Sequence, residues 1–231
     1  MRWWLLGARV SALVLWAAIA TPSVARGDPC VACQADVEAG RREFSDDEWA
    51  ALQRGQVVSS HHDASPSAES ANRLIETSAI VPRSPEFVWS VITDFDCRPR
   101  FMPNVKAVRV VRREGSQVWL SEELKVWGVK IDYNVVGTLD APRGVFSWVL
   151  DKSQENDIAE SVGAWQLFPL DDGQRTLLQY RAHLDTGKPV PGFVESFLTR
   201  RSLPEIVERL RGEVQHRYPL LQDEIQPHAR R

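Results

Sequence analysis

The sequence predicts an α+β domain in which a curved antiparallel β-sheet wraps around a long C-terminal helix. Six runs with strand-like alternation follow one another between residues 105 and 184, after a first strand and a helix. Short, turn-forming links such as Glu114-Gly115 and Asp171-Asp172-Gly173 join most of these runs. Consecutive strands with short links form hairpins, so the sheet is expected to be antiparallel. Apolar residues at helical spacing after residue 192 predict the closing helix.

The first residues have the pattern of a secretory signal peptide. Arg2 and Arg9 precede an apolar run from Val10 to Ala20, and small residues follow up to Gly27. The run is too short for a transmembrane helix, which needs about 20 apolar residues. We therefore expect cleavage before Asp28 or Arg26 and a periplasmic or secreted protein. An uncleaved anchor in the inner membrane is the alternative.

Composition indicates a packed domain and argues against a nucleic-acid partner. Hydrophobic residues make up 43% of the chain, and nine of its residues are tryptophan. Acidic side chains number 31 against 28 basic ones, and residues 1–27 contain three of the arginines. Nucleic-acid binding depends on clustered basic residues, and here they are scattered among acids.

Three cysteines are present: Cys30, Cys33 and Cys97. An exported chain meets an oxidising compartment, so one disulfide that involves Cys30 or Cys33 is expected, with Cys97 as a candidate partner. Unpaired thiols and a metal or redox site are the alternatives. A zinc site lacks nearby ligands apart from the segment that contains His61 and His62, so no metal is expected.

Residues 28–72 are interpreted as an N-terminal extension. Ser45 and Glu48 form a capping box, Phe44 can pack on Trp49, and Gly55 can end the helix. A short strand over 56–60 is expected to follow. Residues 61–72 are rich in Ser, Ala, Asp and Asn, which predicts a surface linker.

The main domain is expected to span 73–219, followed by a tail over 220–231. A strand over 74–81 precedes a helix that Ser84 caps and that has Pro85 in its first turn. Residues 94–103 are predicted to form a loop or a single turn. The further strands are predicted at 105–113, 117–127, 129–139, 144–150, 162–168 and 175–184. In the last helix, Ser202-Leu203-Pro204-Glu205 predicts a kink or a restart.

This order of elements matches the helix-grip fold, and several stretches resemble the START-like polyketide cyclase/dehydrase and lipid-transport superfamily, which includes coenzyme-Q-binding proteins. The resemblance covers residues 73–217. Its strongest stretches are Pro82–Trp89, Asp94-Phe95 with Phe101-Met102-Pro103, Asn156–Trp165 and Leu198–Pro204. It implies a cavity for a hydrophobic ligand, because a helix laid over a concave sheet either packs solid or leaves a tunnel.

Candidate cavity residues come from the predicted inward faces of the strands and from the last helix. Glu122 interrupts an aliphatic row, so it either reaches solvent, pairs with an arginine or anchors a ligand. His183 is expected to point outward. The expected ligand contacts are Trp89, Phe101, Leu120, Glu122, Leu124, Tyr133, Trp148, Trp165, Tyr180, Phe197 and Ile206.

No catalytic motif was found, and no cofactor is expected. The sequence therefore predicts an exported binder or carrier of a lipid, quinone or polyketide-like molecule, with a monomer favoured and a transient membrane-surface contact left open. The alternatives are an enzyme of the cyclase/aromatase type and a structural partner in an envelope complex.

Overall fold

The computed structural model describes residues 30–63, 73–126, 128–187 and 202–225. The predicted signal peptide, most of the predicted linker and the candidate Phe197 lie outside these ranges. Within them, no helix is long and apolar enough to cross a membrane.

Eight strands form one antiparallel sheet in the described part of the chain. They are β1 (Val58–Asp63), β2 (Arg73–Val81), β3 (Val105–Glu114), β4 (Gln117–Val126), β5 (Val129–Asp140), β6 (Val145–Leu150), β7 (Glu160–Leu170) and β8 (Arg175–Asp185). The strand order is β1-β2-β8-β7-β6-β5-β4-β3. The predicted meander is confirmed from β3 to β8. Strand β2 pairs with β8, and β1 pairs with β2 at the edge of the sheet.

Five helices accompany the sheet in the described residues. They are α1 (Val37–Arg42), α2 (Asp46–Gln53), α3 (Pro85–Ile92), α4 (Arg98–Phe101) and α5 (Ser202–Ile225), and a single 3-10 turn at Phe95–Cys97 leads into α4. The segment 94–103, predicted as a loop or a single turn, thus forms two consecutive short helical turns. Helix α5 continues past residue 219 to Ile225, where a tail was expected, and Pro204 lies in its first turn.

Local sequence explains how the shorter helices begin. The Ser45 hydroxyl accepts from the amide of Glu48, and the Glu48 carboxylate accepts from the amide of Ser45, so the predicted capping box is present. Gly55 follows α2 with a φ of 81°, a left-handed conformation that glycine adopts without strain. Ser84 caps α3 by accepting from the Phe87 amide.

The main core lies between one face of the sheet and helices α3, α4 and α5. Leu203, Ile206, Val207, Leu210 and Val214 form the buried stripe of α5. Their spacing is that of one helical face, as the sequence predicts.

The N-terminal extension covers the opposite face of the sheet. Ile80, Leu177 and Phe168 are cross-strand neighbours on β2, β8 and β7, and they pack with Phe44 and Leu52 in a second apolar cluster. Residues 61–63 continue β1 rather than belonging to a linker, because β1 pairs with β2 up to Asp63. The helices cover one face of the sheet and residues 30–63 cover part of the other, so this extension packs as a layer of the same domain.

A disulfide joins Cys30 to Cys33 at the start of this extension, and Cys97 is a free thiol. Between the two bridged cysteines, Ala32 is fully buried and its amide donates to the carbonyl of Ala141 at 2.8 Å. A Cβ on Gly144 would come within 2.8 Å of the Ala32 Cβ and of the Leu167 carbonyl oxygen. A glycine is thus required where the extension packs on the β5–β6 turn.

Candidate functional site

A cavity of about 100 Å³ lies between the inner face of the sheet and α5. Its walls are mostly apolar or aromatic, with a few polar side chains among them. The residues around it are Arg98, Met102, Asn104, Val105, Glu122, Leu124, Tyr133, Trp148, Ser161, Trp165, Tyr180, Ala182, His183, Leu184, Leu203 and Ile206. It lies where an internal ligand was expected, between the sheet and the last helix.

The structure brings together seven of the candidates that the sequence analysis named: Glu122, Leu124, Tyr133, Trp148, Trp165, Tyr180 and Ile206. Phe101 and Leu120 do not line the cavity, and both are buried in the main core. Trp89 is half-buried against that core and does not line the cavity either. Phe197 lies outside the described residues.

Aromatic stacking shapes one wall. The ring centres of Trp165 and Tyr180 are 3.9 Å apart and the rings are nearly parallel, and the ring centre of Trp148 lies 6.0 Å from that of Tyr180. Trp165 and Tyr180 are directly paired across β7 and β8, so strand register sets this stack. Burial raises the pKa of Tyr180, and the Arg98 charge opposes that rise only in part.

The absence of a side chain at Gly163 leaves the space that the Trp148 ring occupies. The two residues pair directly across β6 and β7, and the Trp148 ring lies over the Gly163 backbone. A Cβ on Gly163 would fall 2.1 Å from Trp148 Cζ2 and 2.6 Å from the Arg181 carbonyl oxygen. No real Cβ contact is that short, so the indole can lie there only because residue 163 has no side chain.

The polar side of the cavity is a buried cluster of Arg98, Glu122 and Tyr133. The Arg98 Nη1 donates to Glu122 Oε1, and the Tyr133 hydroxyl donates to Glu122 Oε2 at 2.6 Å. Glu122 and Arg98 are each 4% exposed. Glu122 thus pairs with an arginine and lines the cavity, whereas its role as an anchor for a ligand stays a prediction.

The chain positions this cluster from three elements. Glu122 and Tyr133 are directly opposite each other on β4 and β5, and both point inward. Arg98 begins α4, one turn before the buried Phe101, and its guanidinium carbon lies 4.8 Å and 5.1 Å from the ring centres of Phe95 and Phe146. Both rings are close enough to stabilise the cation through their π-faces. Burial, followed by the Glu122 charge, raises the pKa of Tyr133 well above its usual value, so its hydroxyl stays protonated.

Arg98 was not predicted as a cavity residue, because 94–103 was interpreted as a loop or a single turn and only Phe101 was assigned to the cavity from it. The spacing of Arg98 and Phe101 on one face of a turn, with Arg100 exposed on the other, was the available signal. Pairing between Arg98 and Glu122 could not be inferred, since 24 residues separate them. Ser161, Asn104, Met102 and Leu203 were also missed.

His183 lies on the outer face of the sheet, as predicted, but its side chain is largely buried. It pairs across the sheet with Val162 and so belongs to the outer face, as expected from alternation. Its side chain is nevertheless only 9% exposed, its Nε2 lies 3.8 Å from Glu160 Oε2, and the residue borders the cavity. Among the described residues, no group of His, Cys, Asp and Glu side chains could hold a metal ion.

An antiparallel sheet closed by a C-terminal helix over an internal cavity defines a START-like, helix-grip domain. The family model described as polyketide cyclase/dehydrase and lipid transport matches residues 81–211, which is more than half of the chain. The chain belongs to this family.

Solved structures with the same fold come from distant relatives. A START superfamily protein from Mycobacterium smegmatis is 22% identical, with a TM-score of 0.53 over 62% of this chain and 97% of that one. The Zhui aromatase/cyclase from Streptomyces sp. R1128 is 18% identical, with a TM-score of 0.52 over 70% and 96% of the two chains. A STAR-related lipid transfer protein from Xanthomonas axonopodis is 16% identical, with a TM-score of 0.55 over 69% and 93%. None of the curated proteins compared with the chain matches it.

Proposed function

We propose that the protein binds or carries a hydrophobic small molecule in the cavity between the sheet and α5, in the periplasm or outside the cell. The observation that supports this most directly is the lining, in which aromatic and aliphatic side chains surround a few convergent polar groups. Membership of a family described by lipid transport and polyketide chemistry agrees with such a ligand.

Cavity volume limits the ligand. Small-molecule sites commonly enclose about 300–1,000 Å³, and a cavity of about 150 Å³ holds a benzene ring. The space of about 100 Å³ is smaller than this, so it admits only a short chain. A ring, a longer chain, a lipid or a polyketide requires lining side chains such as Met102 to change rotamer.

The proposed export depends on residues 1–27. The Cys30–Cys33 disulfide supports it, because structural disulfides persist in oxidising compartments and are rare in the cytosol. Intact-mass measurement on protein from the native envelope tests it. A mass that retains residues 1–27 would contradict cleavage.

Native mass spectrometry of protein purified from its own host tests the binding proposal. A co-purifying apolar molecule is the expected result, and Ile206→Arg should remove it, since the new cation would occupy the cavity or snorkel to its mouth. Gln215→Arg on the exposed face of α5 is the matched control. Equal ligand content in wild type and Ile206→Arg would place the ligand elsewhere.

An enzyme of the cyclase type is the second candidate. The buried Arg98–Glu122–Tyr133 cluster supports it, since it fixes a cation with unpaired donors beside an apolar space. Such a group can polarise a carbonyl oxygen. Turnover of a poly-β-ketone substrate that is lost in Arg98→Gln would favour this candidate over a carrier. A ligand-free protein that co-purifies with a stable protein partner would instead indicate a structural role.

A further inference from the structure

Arg98, which lines the cavity, has unused hydrogen-bonding capacity. Its Nη1 donates to Glu122, whereas its Nε and Nη2 are buried and have no hydrogen-bond partner among the residues that the structure describes. The residue is 4% exposed and lines the cavity. A buried donor without an acceptor is costly, and this side chain leaves two such donors.

The two free donors lie on the same edge of the guanidinium. Nε–H and one Nη2–H of an arginine point in parallel, and their spacing matches the two oxygens of a carboxylate. The Phe95 and Phe146 rings and the Nη1 bond to Glu122 hold the group in place. The edge is therefore preorganised, and little side-chain entropy remains to be lost on binding.

Glu122 and Tyr133, the polar neighbours of Arg98, already form hydrogen bonds within the cluster. Glu122 Oε1 accepts from Arg98 and Oε2 accepts from Tyr133, so both oxygens are engaged. A ligand ammonium would place a second cation beside the Arg98 guanidinium. A ligand with acceptor oxygens would instead pair with the free Arg98 donors and leave both hydrogen bonds to Glu122 intact.

We propose that the Nε–Nη2 edge of Arg98 recognises the carboxylate of an otherwise apolar ligand, whose hydrocarbon or ring packs against Trp148, Trp165 and Tyr180. This inference rests on the proposed binding function and specifies the polar end of the molecule bound. The ligand class is thus a small apolar carboxylic acid rather than an alcohol or an amine.

Three molecules of equal chain length test the assignment: octanoate, 1-octanol and octylamine, each titrated at neutral pH. Trp148 and Trp165 line the cavity, so intrinsic fluorescence reports binding, and calorimetry gives the dissociation constants. Octanoate should bind about ten-fold or more tightly than octanol, as expected for charge-assisted hydrogen bonds. Octylamine should bind most weakly.

Variants test whether the preference for octanoate comes from Arg98 or from the rest of the cavity lining. Arg98→Gln should abolish the preference for octanoate, and Arg98→Lys, which keeps the charge without the paired donors, should reduce it. Glu122→Gln should strengthen octanoate binding several-fold, because the Arg98 charge is then unopposed. Arg100→Gln is the matched control, since Arg100 is exposed and pairs with Glu213 outside the cavity.

The outcomes distinguish the two proposals. If octanol binds as tightly as octanoate, or if the preference survives in Arg98→Gln, the carboxylate assignment is overturned while the cavity function stands. If neither these three molecules nor any larger apolar molecule binds the wild type, the binding function and the carboxylate assignment are both contradicted. Circular dichroism of each variant confirms that a lost preference does not come from unfolding.

Discussion

Arg217 of α5 donates from Nη1 to Asp94 Oδ2 at 2.8 Å, and this ion pair ties the C-terminal helix to the turn that precedes α4. Arg217 Nε also donates to Glu213 at 2.6 Å, and Glu213 accepts from Arg100. Because Arg98 follows Asp94 by one turn, the Arg217–Asp94 pair also positions the polar end of the cavity.

The Asp94 pair should make stability depend on pH. Burial opposes ionisation of Asp94, but hydrogen bonds from Arg217 and Cys97 outweigh it, so the pKa of Asp94 is lowered. A lowered folded-state pKa stabilises the fold above the unfolded value and loses that effect as pH falls through the folded value. Asp94→Asn should therefore lower Tm above about pH 4 and match wild type in stronger acid.

The expected loss is about 1 kcal/mol, because the Asp94 side chain is 38% exposed and solvent screens the pair. Thermal melts across the pH range measure it. Asp96→Asn, at an exposed position on the same turn, is the control. A Tm difference between wild type and Asp94→Asn that does not change with pH would contradict the assignment.

Removing one member of the Arg98–Glu122 pair should be more destabilising than removing both. Arg98→Met leaves Glu122 buried with only Tyr133 as a donor, and the expected cost is about 3–5 kcal/mol. The double variant Arg98→Met, Glu122→Leu should recover much of this loss, since apolar replacements of a buried pair are often neutral. Urea unfolding compares the variants. Additive losses in the double variant would show that the two residues are not coupled.

Gly163→Ala should displace Trp148. The added methyl group meets both the indole and the Arg181 carbonyl oxygen, and overpacking of this kind costs about 1–3 kcal/mol. Near-ultraviolet circular dichroism should change with the indole position, and binding of any cavity ligand should weaken. Gly212→Ala has open space around the new methyl group and should raise stability by roughly 0.5–1 kcal/mol. Equal stability of Gly163→Ala and wild type would rule out the contact.

Peptide mapping without reduction should find Cys30 linked to Cys33 and Cys97 free. Burial, followed by the hydrogen bond with Asp94, raises the pKa of the Cys97 thiol. Alkylation of Cys97 at neutral pH should thus be slower than that of an unperturbed cysteine and should accelerate as pH rises. A Cys97 disulfide in the mapped protein, or rapid alkylation at neutral pH, would contradict the structure.

Local sequence patterns determined most of the secondary structure. The capping box at Ser45, the proline after Ser84 and the alternation over 105–184 each depend on neighbours within a few residues, so they could be predicted from the chain alone. Alternation also placed Glu122 and Tyr133 on the inward face, because side chains on a strand point to opposite faces in turn. Turn glycines and helical spacing then indicated an antiparallel sheet under a final helix.

Only the tertiary structure decided which of these residues meet. The pairing of Arg98 with Glu122, the stack of Trp165 on Tyr180 and the removal of Phe101 and Leu120 from the cavity wall depend on sheet register and curvature, which join residues distant in sequence. The packing of residues 30–63 on the outer face of the sheet could not be predicted either. A short capped helix has the same local sequence pattern whether it packs on the domain or lies free of it. Short-range preferences therefore fix the elements, whereas long-range packing determines the cavity and the free edge of Arg98.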